Sequence, residues 1–140
     1  MAVRWRCDRQ TIPLLLGLCL ALGGCRDRTT VLIDQLASSD LQARREAARV
    51  LGTMGPEADP AIPALTEAVA QNDVVLRRLA MHALGQRGPA AQAAVPALTR
   101  VLKSRDASQR LAAAYALQKI APGNQAFVPV LVRALQTGEG

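Results

Sequence analysis

The chain has 140 residues, a size that suits one domain. Half of it is hydrophobic but only 2% is aromatic, and 17 basic against 11 acidic residues leave a net charge of +6. Trp5, Tyr115 and Phe127 are the only aromatic side chains, which excludes a base-stacking platform for nucleic acid, while the basic balance permits contact with an acidic surface.

The first segment reads as an export signal. Arg4, Arg6 and Arg9 are followed by an apolar run at 12–22 and the small pair Gly23-Gly24. The run is shorter than the roughly 20 apolar residues that span a bilayer, and Pro13 interrupts it. Leu22-Gly23-Gly24-Cys25 resembles a bacterial lipobox, although Gly23 stands where Ala or Ser is more usual. The resemblance implies cleavage before Cys25 and a diacylglyceryl group on its thiol. Cys7 and Cys19 would leave with the leader 1–24, so no disulfide remains possible. What is left carries 14 basic and 10 acidic residues, a balance of +4. The expected product is an envelope lipoprotein facing the periplasm, with residues 25–29 as a lipidated tether and 30–140 as the folded domain. Arg26 in place of an aspartate points to the outer membrane, and Asp27 leaves the inner membrane open. A five-residue tether reaches about 15–18 Å and keeps the domain close to the bilayer.

Beyond the leader one segment is written three times, 33 residues apart: DLQARREAARVLGTMGP from Asp40, DVVLRRLAMHALGQRGP from Asp73 and DASQRLAAAYALQKIAP from Asp106. A fixed period of this length marks stacked repeats. Alanine and leucine dominate and no strand alternation occurs, so each repeat reads as two helices. First helices are predicted near 30–38, 61–70, 94–103 and 128–136. Second helices are predicted near 41–53, 74–86 and 107–120. Asp40, Asp73 and Asp106 stand at N-cap positions, where a carboxylate accepts orphan amide protons and complements the helix dipole. Gly55-Pro56, Gly88-Pro89 and Ala121-Pro122 close the second helices. Pro63, Pro96 and Pro129 repeat with the same period and belong in first turns or at a repeated kink.

The pattern D-x-x-x-R-x-x-A-x-x-x-L resembles the second helix of HEAT repeats of the phycobilisome-lyase-like subtype, over about residues 30–136. The third copy departs from it, with Gln118 where the others have Gly52 and Gly85. The resemblance implies an all-α protein, a right-handed α-solenoid of about three and a half repeats, used as a binding scaffold with its second helices on the concave side.

Helical phase sorts the faces at about 100° per residue. With Ala47 at the centre of the buried stripe, Ala43, Val50 and Leu51 join it, as do the equivalents in later copies; Gln109 is a polar exception. Arg44, Arg77 and Arg110 fall at the stripe's edge, where a structural ladder is the favoured reading over a basic ligand column, since stacking demands repeat-to-repeat sameness. Arg45 and Arg49, Arg78 and His82, and Leu111 and Tyr115 are i, i+4 pairs on the outermost face. They form the candidate partner-binding row, weighed against an ordinary solvated face.

Enzymatic chemistry finds little support. His82 is the only histidine, so a His-based metal cluster is excluded, and acylated Cys25 leaves no Cys/His pair. Ala83 after His82 departs from the His-Glu pairs of HEAT-type iron hydroxylases. An export signal argues against the intracellular pigment substrates of HEAT-type lyases. No cofactor and no small-molecule substrate is expected. The leading expectation is a lipid-anchored adaptor for another envelope protein. A chaperone-like accessory to an exported enzyme, a structural envelope protein, and contact of the basic row with anionic lipid are the alternatives.

Overall fold

The computed structural model of the protein describes residues 27–137; the leader and Cys25 lie outside the described residues. The α-helices are α1 (Arg28–Leu36), α2 (Leu41–Thr53), α3 (Ile62–Val69), α4 (Val74–Arg87), α5 (Val95–Val101), α6 (Ala107–Ile120) and α7 (Val128–Thr137). No strand occurs among the described residues.

Local chemistry sets these boundaries. The Asp40 carboxylate accepts the amide of Gln42 at 2.9 Å, Asp73 that of Leu76 at 2.6 Å, and Asp106 that of Ser108 at 2.8 Å. Asp27 does the same for α1, accepting the Thr30 amide at 2.8 Å, so α1 starts two residues before its predicted position at 30. Pro63 and Pro96 occupy first turns of α3 and α5, where a missing N–H costs nothing. Gly88 closes α4 with φ of +56°, a conformation that L side chains disfavour.

Between repeats the chain does not run as an irregular loop. Short 3₁₀ segments, Pro56–Ala61 and Gly88–Ala94, lead into α3 and α5. In a 3₁₀ turn residues i and i+3 eclipse. Ala58 and Ala61 are such a pair; in the next copy the segment kinks at Ala91, and Ala91 and Ala94 are buried on either side of that kink, all four alanines being fully buried.

The helices form an α-solenoid. α1 packs on α2, α3 on α4 and α5 on α6, α2 packs directly on α4 and α4 on α6, and α7 packs on α6. The first helices touch one another only sparsely. Packing is therefore tight in the second-helix layer and loose in the first-helix layer. Leu51, Leu65, Leu76, Met81, Leu84, Leu98, Leu117 and Ile120 are the large apolar side chains buried completely in the core.

The second-helix layer depends on small residues. A Cβ on Gly52 would lie 3.4 Å from the Ala83 Cα, and one on Gly85 would lie 3.3 Å from the Ala116 Cα. In α4 and α6 the predicted stripe is buried as expected, at Leu76, Ala80, Ala83 and Leu84 and at Ala113, Ala116 and Leu117; α2 differs in part. The buried stripe of α2 is Ala47, Ala48, Leu51 and Gly52, while Ala43 and Val50 are only half-buried. It is rotated toward the next repeat because a second helix must face its own first helix and a neighbouring second helix at once. Gln118 takes the glycine's place in α6 and is exposed, since no further second helix packs there among the described residues. Gln109 is buried, with Nε2 donating to the Val74 carbonyl at 3.2 Å and Oε1 left without a partner.

Gly85→Val should therefore force α4 and α6 apart. Overpacking of this kind costs about 1–3 kcal/mol and a melting temperature lower by on the order of 5–15 °C. Gln118→Val, one period later on an open face, should move it by no more than a few degrees. Thermal denaturation followed by circular dichroism compares them; equal losses would show that α4 and α6 do not depend on the close approach.

Candidate functional site

The structure places the six residues of the predicted outer row in different settings. Arg45 is partly buried at the joint between repeats. Its Nε donates to Asp73 Oδ1 at 3.0 Å and its Nη2 to Oδ2 at 2.5 Å, a two-pronged ion pair from α2 to the cap of α4. Arg49 is exposed but bound to Glu46 of its own helix, at 2.9 and 2.5 Å. Leu111 is half-buried and lines a separate pocket against α7, with Arg110, Val130 and Ala134. A continuous basic strip through Arg45 and Arg49 is thus replaced by two satisfied ion pairs.

The other three converge. Arg78 and His82 on α4 and Tyr115 on α6 rim a groove of about 160 Å³ between the two helices. Its floor is apolar and low, built from Met81, Gly85, Ala112 and Ala116. The same short side chains that let α4 and α6 meet leave the hollow between them. Gln86 and Lys119 complete the rim, and neither belongs to the predicted row. Lys119 is four residues after Tyr115, so the i, i+4 rule extended by one turn finds it. Gln86 Nε2 lies 3.2 Å from His82 Nε2; an amide nitrogen can only donate, so the imidazole nitrogen accepts. Tyr115 is 58% exposed, the largest exposed ring on the described surface. Among the described residues no group of His, Cys, Asp or Glu comes together that could hold a metal ion.

The arginine column does not repeat as a uniform ladder. Arg44 Nη1 donates to Gln71 Oε1 at 2.6 Å, across the loop that enters α4. Arg110 Nη1 donates to the carbonyl oxygens of Ser104 and Arg105, at 3.1 and 3.0 Å. Arg77 Nε is buried with no partner. The inter-repeat clasp missed by sequence reasoning is Arg87, which donates to the Met54 and Gly55 carbonyls at the end of α2. An arginine in the last turn of a helix reads as a dipole partner for that helix, and nothing in its spacing reveals that it caps the previous one.

The profile of HEAT repeats matches residues 62–140, more than half of the chain. The chain is a HEAT-repeat protein. The PBS lyase HEAT-like repeat profile matches residues 43–71 of it. No curated protein matches the HEAT-repeat chain. Among solved structures it is similar to an engineered protein, a Northeast Structural Genomics Consortium target, at 27% identity with a TM-score of 0.61. That similarity covers 78% of this HEAT-repeat chain and 51% of the engineered one, so the chain spans about half the length of that structure.

The Arg45 pair gives this HEAT array an acid-sensitive joint. The Arg45 hydrogen bond, helped by the Leu76 amide, lowers the Asp73 pKa from 3.8 to about 2. Folding therefore favours the carboxylate. Its stabilisation is fully present above the unfolded value and is lost as pH falls through about 2. Asp73→Asn keeps a good N-cap while removing the charge. The variant should melt below wild type at pH 7, and the gap should close between pH 4 and pH 2. A gap that persists undiminished at pH 2 would assign the loss to something other than the ion pair.

Proposed function

We propose that the chain is a lipid-anchored HEAT-repeat adaptor that holds another envelope protein through the groove between α4 and α6. The observation that carries this reading is the groove itself: an apolar floor of Met81, Gly85, Ala112 and Ala116 rimmed by Arg78, His82, Tyr115 and Lys119. Arginine and tyrosine around a desolvated floor are the residue types that dominate binding energy at protein interfaces. The groove runs along two helices, a shape suited to a partner helix or extended segment. Membership of the HEAT family supports a scaffold rather than an enzyme.

A photoreactive residue at Tyr115 should give one discrete adduct in the native envelope. The same residue at Pro96, in the first turn of α5, should not. Arg78→Ala with His82→Ala should reduce the Tyr115 adduct by about tenfold or more, with helicity unchanged. Equal adducts from both positions, or an undiminished one in the double variant, would remove the groove from consideration.

The anchor is proposed on the leader alone: the basic segment, the apolar run and Leu22-Gly23-Gly24-Cys25. Only Arg26 separates Cys25 from Asp27, the cap of α1, so an acylated Cys25 would set the solenoid almost directly on the bilayer. Cys25→Ser should abolish incorporation of labelled fatty acid and leave uncut precursor. Labelled lipid on the variant would end the lipoprotein reading.

A further inference from the structure

The unpartnered arginine of the column lies in a pocket of its own, away from the groove. The end of α3, the first turns of α4, and α5 enclose about 310 Å³ open to solvent. Arg77, Arg100 and Lys103 supply its charge, Val69, Ala97 and Val101 its apolar wall, and no carboxylate lines it.

Neighbouring repeats show why Arg77 is left over. Arg44 Nη1 has Gln71 as its acceptor, but the residue one period later is Ser104, too short to reach back in the same way. The Ser104 hydroxyl accepts from the Asp106 amide at 3.2 Å, and its carbonyl is taken by Arg110. The carboxylates within the same loops are also engaged. Asp73 is held by Arg45, and Asp106 caps α6 through Ser108 and Gln109. Nε is buried without an acceptor in Arg44, Arg77 and Arg87 alike, but Arg44 and Arg87 place their Nη groups on acceptors, whereas the Arg77 guanidinium meets none among the described residues and keeps its Nη donors for an incoming oxyanion.

A second observation points the same way. Residues 27–73 carry eight carboxylates against four arginines, a balance of −4. Residues 74–137 carry nine lysines and arginines against Asp106 alone, a balance of +8. The solenoid is thus electrically polar along its length, and the pocket opens on the positive half.

We propose that this pocket binds a carboxylate borne by an acidic peptide segment, with Arg77 as the central donor and Arg100 and Lys103 at the rim. The apolar wall fits the aliphatic stem of such a side chain, which a bare inorganic anion lacks. The site is independent of the groove and of what the groove holds.

Fluorescein-labelled hexaglutamate is the probe, titrated into the purified full chain at low salt and read by anisotropy. Wild type should bind, and binding should fade as salt rises to about 0.5 M. Arg77→Gln with Arg100→Gln and Lys103→Gln should weaken it by about tenfold or more. Arg49→Gln, a cation already paired with Glu46, should bind as wild type. Arg100 and Lys103 are exposed, so a variant changing only those two keeps the core intact and should still weaken binding about threefold; it decides the matter if the triple variant fails to fold. Three results overturn the proposal: no binding by wild type, an equal loss in Arg49→Gln, or displacement of the peptide by an equal concentration of inorganic phosphate.

Discussion

The distance between second helices is the constraint on which the rest of this protein rests. At Gly52 and Gly85 the backbone of one repeat comes so near the next that a single added carbon would meet an α-carbon at 3.4 or 3.3 Å. Alanines at 47, 48, 80, 83, 113 and 116 extend the same condition along both interfaces. Small side chains bury little area each, so the bulk of the core comes from the large leucines. The shallow floor of the groove and the exposure of its rim follow from that division between a thin seam and a thicker core.

Much of the architecture was legible because its signals are local. A carboxylate before each second helix, a proline in each first turn and a period of 33 residues each fix a position without reference to tertiary contacts. The structure places α2 and α6 at their predicted limits and α4 one residue longer. The 3₁₀ segments were not legible, since their buried alanines repeat every third residue within stretches of only six or seven. Of the candidate surface, Arg78, His82 and Tyr115 fall together as the helical phase implies. Arg45 does not, because one residue is about 100° on a helix and the stripe is turned toward the following repeat. A side chain assigned to solvent thereby becomes the joint.

Repetition in sequence does not guarantee repetition of contacts. Arg44, Arg77 and Arg110 share one register and meet an amide oxygen, nothing, and two carbonyls respectively. The difference comes from the loop residue each would reach, Gln71 in one copy and Ser104 in the next. Conversely, Asp73 and Asp106 are both caps, yet only Asp73 has a cation from the preceding repeat. What a repeat conserves is backbone geometry; the polar contacts that dress it vary with neighbours one period away.

The two inner seams are consequently unequal. Arg44, Arg45 and Arg87 all tie the first repeat to the second through side-chain bonds, whereas Gln109 is the corresponding tie seen between the second and third. In a linear array each unit is held only by its neighbours, so opening starts where coupling is weakest and spreads outward. Amide protons of α6 and α7 then exchange through partial openings that leave α2 and α4 closed. The groove spans that softer seam, so a segment held between Met81 and Tyr115 would add a second tie to the one that Gln109 gives α6.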